Sequence, residues 1–113
     1  MATTTGARTC HGTIGATHDL IELTDQVNQV ALINQHATQK MYAKVYTGLT
    51  AAAALAAATA GSVAASDDES FYVAPVNGKT VVHKSKQLCF VALRIIADGA
   101  TTPFSCHGTQ FLD

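Results

Sequence analysis

Apolar and polar residues alternate along most of this chain with a period of two. In residues 86–97 one alternate set is Cys89, Val91, Leu93, Ile95 and Ala97, wholly apolar. Successive side chains of an extended strand point to opposite faces, so this set predicts a strand face turned into a core. The other set, Leu88, Phe90, Ala92, Arg94 and Ile96, is too apolar for a face turned to water. A strand covered on both sides fits that pattern, either at the centre of a sandwich or with Leu88, Phe90 and Ile96 meeting another subunit or partner. Shorter β-like runs occupy residues 9–14, 19–23, 27–34 and 39–47, separated by GAT, TDQ and QHAT.

Turn chemistry extends the pattern toward the C-terminus. Asn77-Gly78 has the composition of a type I′ turn and predicts a hairpin between residues 71–76 and 79–84. Asp98-Gly99 predicts a second turn, from the apolar run into residues 101–106, with Pro103 marking the returning strand as an edge or a late start. The sum is an all-β fold: a single β-sandwich, jelly-roll-like, of about eight short strands.

Two segments break the alternation. Residues 1–8, MATTTGAR, are small and polar and read as a flexible N-terminal arm ahead of a β-sandwich domain spanning 9–113. The alanine-rich stretch at about 48–66 reads as a loop excursion or short helix, with Thr50 suited to cap it and Gly61 to end it. Leu55 is the one large apolar residue between those caps, so a helix there has little bulk to bury.

Composition narrows the function classes. With 113 residues the chain fits one domain, and a net charge of −1 with a pI near 6.5 supplies no overall field toward nucleic acid or anionic membrane. The stripe Lys40, Tyr42, Lys44, Tyr46 alternates cations with aromatics, as a single-stranded nucleic-acid platform does, but reads more simply as the water-facing side of a strand. The alanine run is too short and too weakly hydrophobic to cross a membrane. The opening residues lack the pattern of a secretory signal, so three cysteines are expected to remain thiols in a cytosol.

The tetrapeptide CHGT occurs twice, at Cys10-His11-Gly12-Thr13 and at Cys106-His107-Gly108-Thr109. Two cysteines and two histidines match a zinc ligand set, but adjacent residues of a strand point apart, and neither pair has the spacing of a metal knuckle. Cys10 shares a face with Ile14, and Cys106 with Phe104, so the thiols are expected inward and the imidazoles outward. If the first and last strands are antiparallel neighbours, Cys10 and Cys106 come close enough for a disulfide. No nucleophile elbow or phosphate loop surrounds any Cys, Ser or Thr, and Asp67, Asp68 and Glu69 read as a solvated loop. A non-enzymatic protein without a cofactor or metal is the resulting expectation.

The order HDLIELTDQVNQVALINQHATQKMYAKVYTG, an alanine-rich excursion, DDESFYVAPVNGKTVVHK and QLCFVALRIIADGATTPFSCHGTQF resembles small virion proteins of tailed bacteriophages, over roughly residues 18–111. The likeness is to head decoration or cement proteins, and also to small β-sandwich modules of tails, necks and fibres. It implies a structural role without catalytic residues. Such a protein is made in the bacterial cytoplasm, sits on the capsid surface in many copies, binds the major capsid protein and forms a homo-oligomer, commonly a trimer. On that reading the contacts come from the arm (Ala2, Thr3, Thr4, Thr5, Arg8), the alanine-rich loop and the Leu88, Phe90 and Ile96 face.

Overall fold

A computed structural model describes residues 2–63, 70–99 and 101–110. The elements are β1 (Thr3–Gly6), β2 (Thr9–Ile14), β3 (Asp19–Leu23), β4 (Val27–Asn34), β5 (Met41–Gly48), α1 (Ala51–Ala60), β6 (Phe71–Val73), β7 (Gly78–Ala97) and β8 (Thr102–Thr109). The fold is all-β with one short helix. The eight strands form one mixed sheet in the order β1-β3-β7-β4-β8-β2, with β5 added beside β7 and β6 beside β5.

β7 organises this sheet. Its C-terminal half pairs with β3 on one side and β5 on the other, through registers such as Ile21↔Leu93 and Val45↔Leu93. Its N-terminal half pairs with β4, from Asn34↔Gly78 to Gln29↔Lys84. The strand therefore leaves one half of the sandwich and enters the other, turning the corner at an irregularity where residues 85–88 stand opposite Asn28 alone, between the pairs Val27↔Cys89 and Gln29↔Lys84. The hydrophilic KSKQ looks like a break between two strands in sequence. In space it is a bulge within one.

The apolar alternation is buried as expected. Val91, Leu93 and Ile95 enter a single core with Ile14, Ile21, Leu23, Val27, Val30, Leu32, Met41, Phe104 and Cys106, all at 2% exposure or less. Asn34 is the buried polar member of this end. Its Nδ2 donates to the carbonyls of Gln39 (2.7 Å) and Val73 (3.1 Å), while its Oδ1 accepts from His36 N (3.0 Å). One side chain thus ties the end of β4 to the approach to β5 and to the end of β6, and its burial carries no unsatisfied group.

Several expectations are corrected. Part of the supposed arm is a strand: β1 pairs in parallel with β3, Thr3↔Leu20 through Gly6↔Leu23, and Leu20 N donates to Ala2 O at 2.9 Å. Residues 71–76 do not form a ladder with 79–84; β6 instead pairs with β5, Met41↔Val73 and Tyr42↔Tyr72. The left-handed residues of that turn are Val76 (φ 64°) and Asn77 (φ 59°), one position earlier than the composition indicates. Gly78 is required for closeness instead, because a Cβ there would run into Ala74 O.

The second turn likewise fails to make a hairpin, since β7 and β8 are not partners and Asp98-Gly99 carries the chain across to the other half of the sandwich. Nor is β8 an edge, because it lies between β4 and β2. Gln35 N donates to Pro103 O at 2.9 Å just past the end of β4, and Gly108 N donates to Arg8 O at 2.6 Å. Odd-numbered residues of β8 therefore bond toward β4 and even-numbered ones toward β2. The missing N–H of Pro103 falls where the β4 ladder has already ended, and the strand tolerates it.

Candidate functional site

The two-sided apolar strand is explained by α1. Thr50 Oγ1 accepts from Ala53 N at 3.0 Å, capping the helix, and Gly61 N donates back to Ala58 O at 3.3 Å. Ala54 and Ala58 are fully buried on Leu20 and Ala92, with Tyr46, Leu55 and Phe90 packed around them. Small side chains let the helix sit close to the sheet, which replaces bulk with proximity. Gly48 shows how close: a Cβ there would lie 2.7 Å from Ala54 N.

Arg94 fixes the helix from below. Only 7% exposed, it donates from Nη1 to the carbonyls of Ala58 and Thr59, both at 3.0 Å, at the helix C-terminus. The cation faces the negative end of the helix dipole and satisfies carbonyls that have no partner inside the helix. Its Nη2 lies 2.6 Å from His18 Nε2, and because a guanidinium only donates, that nitrogen is the acceptor. Tyr46 completes the clamp, its hydroxyl accepting from Ser62 N (3.1 Å) and donating to Ser62 O (3.2 Å).

This arrangement redistributes the expected contact residues. Phe90 packs beneath α1, Leu88 is half-buried in the β7 bulge, and Ile96 lies at the far end of β7 beside Tyr42. The three do not make one continuous face, because the chain's own helix covers its middle. Ala2, Thr3 and Thr5 are exposed along β1 and Thr4 is half-buried, while Arg8 pairs with Asp25 (2.9 Å) and donates to Gln110 Oε1 (3.1 Å). Of the Lys40–Tyr46 stripe, Tyr46 is engaged with the helix and Lys44 stands in register with Arg94, so no open cation and aromatic platform results.

What the helix leaves open is the β5–β6 end of the sheet. Tyr42 and Tyr72 pair across the two strands with ring centroids 5.7 Å apart. Phe71, Tyr72 and Val76 are 39%, 48% and 71% exposed. Among the described residues β6 has a strand neighbour on one side only. Sequence reading passed over this patch because Phe71 and Tyr72 were assigned to a hairpin with residues 79–84. Their exposure follows from pairing with β5 at the rim instead.

The CHGT repeat falls where its alternation places it. β2 and β8 are antiparallel with Cys10 directly opposite Cys106, and Thr9↔His107 and His11↔Ser105 on either side. Cys106 is fully buried in the core, Cys10 is half-buried against it, and His11 and His107 are exposed. All three cysteines are free, and the register makes Cys10 and Cys106 neighbours across the ladder. The proximity of the two thiols holds Cys10 below its ordinary value and pushes Cys106 well above. Across the β7 bulge, Cys89 Sγ lies 3.5 Å from His83 Nε2, with burial raising the thiol and lowering the imidazole. Those shifts favour the neutral pair over a thiolate and imidazolium, the reverse of an activated nucleophile. Among the described residues no three His, Cys, Asp or Glu side chains cluster as metal ligands, and no helix is long and apolar enough to cross a membrane. Asp67, Asp68 and Glu69 lie outside the described residues.

No protein-family model, no curated protein and no solved structure matches this chain.

Proposed function

We propose that this chain is a non-enzymatic virion protein of a tailed bacteriophage that binds the outer surface of the capsid and stabilises the shell. The observation that carries the proposal is the exposed aromatic rim at β5–β6, where Tyr72, its ring tilted against that of Tyr42, stands beside Phe71 and Val76. Aromatic residues are enriched at protein contacts, and a short open edge can accept a neighbouring strand. The ordered resemblance over residues 18–111 supplies the kind of partner, the major capsid protein, and a trimer as the bound form. Many copies held by modest contacts reinforce a shell through avidity.

Recombinant protein added to shells that lack it is expected to bind at high copy number and to raise the temperature at which they open. Tyr72→Asp, at a half-exposed position, is expected to keep the fold and lose at least tenfold in binding, a change of about 1.4 kcal/mol. Failure of the unaltered protein to bind such shells would overturn the proposal.

A further inference from the structure

We infer that Cys10 and Cys106 form a peroxide-reactive modification site, in which Cys10 is the thiol that reacts first, Cys106 resolves it, and the product is a disulfide joining the first CHGT strand to the last strand. The inference does not depend on the proposed function.

Register supplies the geometry. The Gly108 N to Arg8 O bond places residues 8 and 108 as a hydrogen-bonded pair, so two residues further along each strand Cys10 and Cys106 form one too. Directly opposed residues of that kind have Cα atoms about 5.5 Å apart, within the span of about 4.4–6.8 Å that a disulfide bridges. The two residues already stand directly opposite each other, so no strand has to slide for a bond to form.

Exposure supplies the order of events. Cys10 is half-buried and reachable from solvent, whereas Cys106 has 0% exposure. Beside Cys106 the Cys10 thiol is held below its ordinary value and the buried Cys106 thiol well above, which favours the thiolate, the form that attacks peroxide, at the accessible sulfur. Cys10 thiolate attacks one peroxide oxygen, the O–O bond breaks, and after proton uptake the products are Cys10 sulfenic acid and water. Cys106 sulfur then attacks the sulfenic sulfur, forming S–S, while its proton and the departing hydroxyl leave as a second water. Two thiols and one hydrogen peroxide thus give one disulfide and two waters. Cys89 lacks this arrangement, since its neighbour is the His83 imidazole, and burial raises its thiol.

The test is titration of the native full-length protein with hydrogen peroxide, followed by intact-mass measurement and tryptic mapping without reductant. The expected product is lighter by two hydrogen atoms, with peptide 9–40 joined to peptide 95–113 and peptide 87–94 retaining its thiol. Its melting temperature should exceed that of the reduced protein by at least about 5 °C, reverting on reduction. Cys106→Ala is expected to stop at a Cys10 sulfenic acid that dimedone traps, and Cys10→Ser to slow oxidation of Cys106 at least tenfold. If peptide 87–94 is oxidised first, or if Cys10 and Cys106 gain oxygen separately without becoming joined, the assignment is wrong. Because the wild-type mass map is decisive alone, poor folding of either variant does not rescue it.

Discussion

At the scale of single residues, a buried cation is the least expected feature of the molecule. Arg94 occupies a position whose neighbours on the same face are Ala92 and Ile96, and alternation alone places it at the margin of a covered face. Its two bonds to the end of α1 explain why it is central instead. Arg94→Ala removes two charge-assisted bonds and leaves the Thr59 carbonyl without its guanidinium donor, so urea denaturation should show a loss of about 2–4 kcal/mol. Arg94→Lys should recover only part of that, because an ammonium cannot present the planar fork that reaches both carbonyls and His18. Recovery to wild-type stability would mean that charge alone suffices.

His83 gives a pH signature at the same scale. Burial holds its imidazole below the ordinary value of about 6.5, so the unfolded chain takes up this proton first as pH falls. Its contribution to stability is therefore fully present above about pH 6.5 and is lost as pH drops through that value toward the folded-state pKa. Denaturation midpoints measured from pH 8 to pH 5 should fall more steeply for the native protein than for His83→Gln. Parallel curves would remove His83 as the cause.

At the scale of elements, what could be read from the sequence depended on whether the signal was local. β2, β3 and β4 have the bounds that alternation marks, and Thr50 and Gly61 flank a helix as their cap chemistry indicates. The docking of that helix was not legible, because an alanine face shows no large apolar stripe and its fit depends on Gly48, Ala92 and Leu20 from other strands. Ala58→Leu tests the point. Added methylenes at a fully buried contact should cost about 1–3 kcal/mol in chemical denaturation, although leucine is a good helix former. An unchanged or higher stability would show that the helix has room to shift.

Strand partners were harder still, since turn residues report that the chain reverses but not which strand it meets next. Asn77-Gly78 and Asp98-Gly99 both mark reversals, yet neither closes a ladder between its own flanks. The candidate site followed the same division. Facing of Cys10 and Cys106 was legible because identical tetrapeptides sit on the first and last strands of the predicted domain, whereas the aromatic rim depended on β6 choosing β5.

At the scale of the whole molecule, the position of β7 sets the order in which the rest can be assembled. Before residue 78 has been made, the only ladders among the described residues with both strands present are β1–β3 and β5–β6. β4 waits for β7 and β8, and β2 waits for β8. A ribosome must therefore release most of this chain before a core can close, and refolding must pay loop closure over long separations before native contacts offset it. A chain stopped at Asn77 is expected to show no cooperative thermal transition, whereas the full chain shows one. The aggregation-prone interval of its synthesis is thus set late, by the arrival of a single long strand.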